Sequence, residues 1–301
     1  MYLAVIDIGT NSTRLMVSEV EAGLVKIVHT EIITTRLGEG IGKQPFLQRG
    51  AVNRTVDALF KFKEKIGQLG PVVVLAAATS AVRDAANRID FLAEVKARVG
   101  WEVKVLSGVE EARMSFLGVM RGLKSDISDP VVIDIGGGST EFIWARPETT
   151  EFRSLRVGAV RMAESGSGMD DIIDSMAGVI EIIKKACLKS IIGVGGTVTT
   201  LAAIDQRLEV YDPELVHGYF ISRQRVAAIL ETLEKMSPGQ RRKVPGLQPE
   251  RADIIVAGTR IVRAIIEGLD GDGVTVSETD IMYGLLYSEL EQKTSKYEKF
   301  C

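Results

Sequence analysis

Two segments of the chain carry a carboxylate followed by glycine and hydroxyl residues: Val5-Ile-Asp-Ile-Gly-Thr-Asn-Ser-Thr13 and Val132-Ile-Asp-Ile-Gly-Gly-Gly-Ser-Thr140. Seven of the nine positions are identical, at an offset of 127 residues. A carboxylate at the end of an apolar strand, followed by a turn rich in free N–H groups, suits phosphate and hard cations. The turn amides cradle phosphate oxygens, and Asp7 and Asp134 can orient Mg2+ and its waters. The alternative is that Gly9 and Gly136, Gly137 and Gly138 only permit tight hairpins, with the aspartates satisfying local N–H groups. Finding the pattern twice, with Ser and Thr kept, weighs against that alternative. A third turn, Gly193-Val-Gly-Gly-Thr197, follows Ile191-Ile192 and opens a helical stretch. Amides at Gly195, Gly196 and Thr197 would face an anion with the helix dipole behind them; a close strand-to-helix packing turn is the other reading. It is not a dinucleotide fingerprint, whose third glycine would fall at Val198, and the chain has no P-loop.

Ser107-Gly-Val-Glu110 has the form of an N-terminal capping box, which occupies Glu110 and leaves Glu111 unassigned in the helix's first turn. There a carboxylate can act on water between two domains, although acidic residues favour first turns for dipole reasons alone. Phosphates also call for cations. Arg14, Arg36, Arg83 and Arg161 follow strands or turns near the expected cleft, and Arg241-Arg-Lys243 forms a short basic run that could follow a polyanion. Solvated surface is the competing reading for each. Trp101, Trp144 and the methionines read only as core. Tyr211 and Tyr219, near His217, are the candidates for stacking on a base.

The elements that must position these groups follow from periodicity. Strands are expected at 3–8, 14–20 and 24–33, with Glu21-Ala-Gly23 as a hairpin turn. A helix over 49–69 follows, with Val52, Val56, Leu59, Phe60 and Ile66 on one face. Then come a strand at 72–77, a helix at 87–99, a strand at 102–106 and a helix at 108–122. The second half repeats the order, with strands at 131–135, 141–145 and 151–157, a helix at 170–188 and a strand at 190–194. Helices at 197–205, 222–236 and 249–269, a strand at 274–277 and a helix to about 292 complete it. Two related α/β domains in tandem explain the repeat, with a boundary in the polar stretch 122–130 that ends in Pro130.

A length of 301 residues, 46% hydrophobic and 26% charged, suits two medium globular domains and excludes disordered and fibrous classes. The formal charge of −3 supplies no bulk positive field for nucleic acid or anionic lipid, so an anionic ligand must be held locally. Only Cys187 and Cys301 are present, which points to a reducing compartment and the cytoplasm. The N-terminus lacks a basic leader, and no apolar stretch approaches the ~20 residues of a membrane span. Two histidines and no cysteine pair leave no closed zinc site, so a metal here would be hard and oxygen-bound.

Taken together, Val132 to Glu141 and the 5–14 segment, R-L-G-E-G at 36–40, A-T-S-A-V-R-D-A at 78–85 and S-G-V-E-E-A-R at 107–113 resemble the exopolyphosphatase / guanosine pentaphosphate phosphohydrolase (Ppx/GppA) family. So do G-V-G-G-T-V-T-T-L-A-A at 193–203, V-H-G at 216–218 and E-R-A-D-I-I-V-A-G at 250–258. The resemblance implies two tandem ribonuclease-H-like domains of the actin-like ATPase superfamily, 1–124 and 125–301, closing on a cleft. The last helix is placed so that it can pack back on the first domain. It further implies Glu111 as the base that activates water, and Asp134 and Glu141, with Asp7, as holders of Mg2+. The amides of Gly136, Gly137, Gly138 and Ser139 would bind phosphate. Asn11, Ser12, Arg14 and Arg83 would line the first domain's wall, and Gly195, Gly196 and Thr197 the second's. The implied reaction is hydrolysis of the terminal phosphoanhydride of inorganic polyphosphate, with guanosine pentaphosphate a second substrate and a homodimer compatible with both. An ATP-using kinase of the same superfamily and a non-hydrolysing sensor stay open as alternatives. One segment departs: where the family often has V-S-D-R-G-L-R-E-G, this chain has Val276-Ser-Glu-Thr-Asp-Ile-Met-Tyr-Gly284.

Overall fold

A computed structural model describes residues 1–21, 24–123, 129–146, 149–186 and 190–298. The centre of the first hairpin turn, the expected 124/125 boundary, the end of the helix expected to reach 188, Cys187 and Cys301 lie outside the described residues. The first half runs β1 (Tyr2–Ile8), β2 (Thr13–Glu21), β3 (Leu24–Ile33), α1 (Arg49–Gly67), β4 (Val72–Ala78), α2 (Ser80–Asp84), α3 (Arg88–Val99), β5 (Val103–Val105) and α4 (Gly108–Gly122). The second runs β6 (Pro130–Ile135), β7 (Thr140–Arg146), β8 (Thr149–Leu155), α5 (Ala159–Ser165), α6 (Met169–Lys184), β9 (Ser190–Val194), α7 (Gly196–Asp205), α8 (Pro213–Val216) and β10 (Phe220–Ser222). It ends with α9 (Arg223–Glu234), α10 (Pro238–Arg241), α11 (Ile255–Gly268), β11 (Gly273–Val276) and α12 (Ile281–Glu298).

The first sheet has the order β3-β2-β1-β4-β5 and the second β8-β7-β6-β9-β11, with β10 added at its edge. In each, a three-stranded antiparallel meander is extended by strands parallel to the first. The repeat is therefore one of topology as well as sequence, and both units are ribonuclease-H-like. Central strands are apolar on both faces because helices cover both sides of the sheet: Leu3 to Ile6 and Val131 to Ile133 are all buried. Edge strand β3 instead alternates exposed and half-buried positions. On α1 the buried face is Val52, Val56, Leu59, Phe62 and Ile66. Phe60, expected there, is half-buried beside it with the Arg98 guanidinium 5.8 Å from its ring centre.

Five short elements escaped periodicity, namely α2, α5, α8, α10 and β10, each seven residues or fewer and too short for a repeat to register. The helix expected from 249 starts only at Ile255, after a single 3₁₀ turn at Pro249–Arg251. Among the described residues, no helix is long and apolar enough to cross a membrane.

Two helices cross between the halves. Helix α4 packs Ala112, Phe116 and Val119 under the second sheet, against Val132, Ile143, Ile192 and Val194. Helix α12 packs Ile281, Met282 and Leu286 on the first sheet, against Leu3, Val5 and Met16. The two also touch each other backbone to backbone. A Cβ on Gly118 would stand 2.0 Å from Asp280 O, and one on Gly284 would stand 1.8 Å from Met114 O, so only glycine permits this approach. Each such buried Leu, Ile or Met side chain contributes roughly 1.5–3 kcal/mol, and here that burial also fixes Glu111 and Ser115 on α4 over the second sheet.

Candidate active site

The repeated motifs build the same turn. Gly9 N donates to Ser12 O at 3.0 Å and Gly136 N to Ser139 O at 3.0 Å. The two turns face each other: Thr10 hydrogen-bonds Ser80 at 2.9 Å, and the same two side chains stand against Gly138. Strand register places Asp7 opposite Arg14 and Asp134 opposite Glu141. Arg14 and Glu141 occupy equivalent positions of the two repeats, so that one position carries opposite charges in the two units.

Four carboxylates converge here from four elements. The capping box of α4 forms as its sequence implies: Ser107 N donates to Glu110 at 2.9 Å and Glu110 N to Ser107 Oγ at 3.2 Å. That turns Glu111 inward, where it is 7% exposed. Arg83 of α2 donates to Glu111 Oε2 at 2.5 Å and to Leu106 O at 3.2 Å, and lies 4.0 Å from Glu141. Ser115, one turn beyond Glu111, donates to Asp134 Oδ2 at 2.5 Å, and Ser154 of β8 donates to Glu141 Oε1 at 2.6 Å. Asp7 Oδ2 accepts from Arg14 Nε at 2.9 Å and Nη2 at 2.7 Å. Arg14 also pairs with Asp280, which sits just before α12.

Burial dominates the protonation of this cluster. It pushes the Glu111 carboxyl up to about 7, against the pull of Arg83 and with help from Asp134 and Asp7. It pushes Asp134 up to about 6, Ser115 opposing and Asp280 assisting. Glu141 is raised well above the usual carboxylate range by burial, Glu111 and Asp134. Asp7 is raised by burial although Arg14 offsets part of it. Among the described residues, two oxygens, Asp7 Oδ1 and Glu141 Oε2, are buried with no hydrogen-bond partner.

The third turn completes the wall. Gly195, the N-cap of α7, has φ +92°, and a Cβ there would stand 2.7 Å from Ile135 O and 3.0 Å from Asp134 Oδ1. The α7 N-terminus is thus pressed against the Asp134 turn, with the amides of Gly196 and Thr197 in the open first turn of the helix. Arg251 covers this terminus: a Cβ on Gly196 would meet its guanidinium at 2.2 Å. Its Nε donates to Gln248 at 3.0 Å, and among the described residues no carboxylate pairs with it. Burial, and repulsion from Arg14, lower its pKa to about 10. Beyond Arg251, Tyr211 donates to Glu278. Burial raises the Glu278 carboxyl, with the Tyr211 bond opposing.

These groups surround a cavity of about 470 Å³ between the halves, lined by Asn11, Ser12, Arg14, Glu111, Gly136, Gly137, the Gly195 to Thr197 turn and Arg251. Asp7, Asp134, Arg83, Gly138 and Ser139 stand directly behind that lining through the contacts given above, and Glu141 lies one step further back, 4.0 Å from Arg83. Of the turn amides, Gly136 N is spent on Ser139 O, whereas Gly137 and Gly138 N have no protein acceptor among the described residues. Arg14 is engaged by two carboxylates. Two other arginines are braces rather than lining. Arg161 donates to Gly138 O, Ile41 O and Asp84, and Arg36 pairs with Asp253 at 2.8 Å across the rim. Arg241 is bonded to Leu233 O and Ala252 O, away from the cavity. Sequence reasoning missed Ser115, Arg251, Glu278 and Asp280. The i+4 spacing from Glu111 could have found Ser115; no spacing signal marks Asp280.

Asp7, Asp134 and Glu141 do not form a ready-made metal cage: among the described residues, no group of three acidic, His or Cys side chains is arranged to hold a cation. One oxygen of each is already taken by Arg14, Ser115 or Ser154. The donors nonetheless fit an open Mg2+ site, since that ion keeps several waters and takes one or two carboxylates plus substrate phosphates. The orphaned Asp7 Oδ1 and Glu141 Oε2 are the oxygens with unused capacity.

Residues 16–293 match the sequence model of the Ppx/GppA phosphatase family. The chain is 32% identical over 96% of its length to the bifunctional 3-dehydroquinate synthase/phosphatase of Fusobacterium nucleatum, of which it spans only 47%. It is also 32% identical over 95% of its length to exopolyphosphatase 2 of Mycobacterium tuberculosis, and there it covers 98% of the relative. The crystal structure of an exopolyphosphatase from Cytophaga hutchinsonii superimposes with a TM-score of 0.88 at 26% identity, covering 97% of this chain and 98% of that one.

Proposed function

Because the chain belongs to the Ppx/GppA phosphatase family, we propose that it hydrolyses the terminal phosphoanhydride of inorganic polyphosphate, and of guanosine pentaphosphate, releasing orthophosphate. The observation that carries this reading is Glu111: a buried carboxylate, raised to about 7, held by Arg83 at the cavity where all three glycine turns meet. A base near neutral pKa is matched to taking a proton from water at physiological pH. Arg83 occupies Glu111 Oε2 and leaves Oε1 to accept the proton of a water attacking in line. The amides of Gly137 and Gly138 on one side, and of Gly196 and Thr197 with Arg251 on the other, hold the phosphoryl oxygens. Phosphoryl transfer needs little covalent help from protein, so positioning and charge neutralisation carry the rate.

Asp7, Asp134 and Glu141 are the residues assigned to Mg2+. When bound, the ion neutralises phosphate charge as it develops. In this reading residues 1–124 and 125–301 act as the two walls of the cleft, coupled by the crossing of α4 and α12. The scarcity of cysteine supports work in the cytoplasm. The test is phosphate release, with Mg2+, from polyphosphate, guanosine pentaphosphate and ATP. Release from either of the first two supports the proposal. Phosphate transfer from ATP to an acceptor, or ligand binding without release from any of the three, refutes it.

A further inference from the structure

The cavity changes sign along its length, and the change can be followed contact by contact. The Gly195 turn lies against Asp134, Gly196 against the Arg251 guanidinium, and Tyr211 in the field of Arg251. Tyr211 then donates to Glu278. The row thus runs from helix-terminal amides and an arginine without a carboxylate partner to a carboxylate that no cation contacts, Arg14 reaching it only through its field. Among the described residues no Lys or Arg pairs with Glu278, whereas its neighbour Asp280 pairs with Arg14, which it shares with Asp7. Glu278 is also held in place. Its backbone N donates to His217 Nδ1 at 3.2 Å, and His217 Nε2 meets Gly122 O, at the end of α4, at 3.3 Å. Tyr211, Glu278 and Arg251 all line the same cavity.

On the premise of phosphoanhydride hydrolysis, we propose that Glu278 is the specificity-determining residue that restricts the enzyme to short phosphoanhydrides, by opposing the next anionic group beyond Arg251. Every phosphate of a polyphosphate chain is charged. The first groups rest on the turn amides and Arg251, but a further one meets a fixed carboxylate, and like charges so placed are costly. A triphosphate-length chain ends before that point. So does a phosphoanhydride whose next group is neutral or donates hydrogen bonds, which Glu278 can accept.

The test is calorimetric titration, at pH 8 with Mg2+, of tripolyphosphate and of a long polyphosphate, expressed per chain end, with phosphate release measured on the same samples. The proteins are wild type, E278Q, E278K, E278D and Y211F. The expected result is that the long-to-short affinity ratio rises about tenfold in E278Q and further in E278K. It should stay at the wild-type value in E278D and Y211F, which keep the charge. A ratio within twofold of wild type in both E278Q and E278K overturns the proposal. So does an equal rise in Y211F, which would assign the effect to packing. Absence of phosphate release from every chain would refute the hydrolytic reading, while the binding ratios would still decide the role of Glu278.

Discussion

Replacing Glu111 with Gln keeps the shape and burial of the side chain while removing its ability to take a proton. A positioned general base is worth about 10²–10⁴ in rate, or about 3–5 kcal/mol of barrier. We expect kcat for phosphate release to fall by that factor, with substrate affinity within a few-fold of wild type because the turn amides and Arg251 are untouched. The pH dependence provides a second measure. With the carboxyl raised to about 7, the wild-type rate should rise with pH below 7 and level off above it, and E111Q should lack that limb. The same group affects stability. A carboxyl raised in the fold favours folding below its ordinary value of 4.5, and that contribution is lost as pH climbs through 7. Urea unfolding at pH 5 and pH 8 should therefore show a smaller stability difference in E111Q than in wild type. Turnover of E111Q within tenfold of wild type would remove Glu111 from the mechanism, whatever the unfolding data show.

Asp134→Asn should weaken Mg2+ dependence as well as rate, so the Mg2+ concentration for half-maximal activity should rise; an unchanged titration would remove Asp134 from the metal shell. Arg251→Ala should raise KM for polyphosphate about tenfold or more with a smaller change in kcat, read from steady-state kinetics, because it deletes a charge-assisted contact without touching the base. Gly118→Ala puts a methyl 2.0 Å from Asp280 O and must push α4 and α12 apart. The expected cost is about 1–3 kcal/mol in chemical denaturation, together with a fall in kcat, since Glu111 and Ser115 ride on α4 and Asp280 adjoins α12.

Much of this protein is legible in its sequence because the informative features are local. The Asp7 and Asp134 motifs are each nine residues long, and their identity at 127-residue spacing implies tandem related units before any packing is known. Strand and helix order follows from side-chain periodicity, and the Ser107/Glu110 capping box already says that Glu111 is the carboxylate left over. What periodicity could not reach was short or remote. Helices of four to seven residues complete too few turns to show a repeat, and Arg251 belongs to a 3₁₀ turn between longer elements. Tertiary structure decided which charged groups meet. Arg14 looks like a free phosphate ligand in sequence, yet Asp280, 266 residues away, reaches it in space. Arg161 and Arg36 spend their charge bracing the rim. Only the crossing of α4 and α12 brings Glu111 under the second sheet, beside Asp134 and Glu141. The physical reason is that charges are strongly perturbed only when water is excluded from them. That exclusion is produced by side chains far apart in the chain, so it is absent from any local pattern of residues.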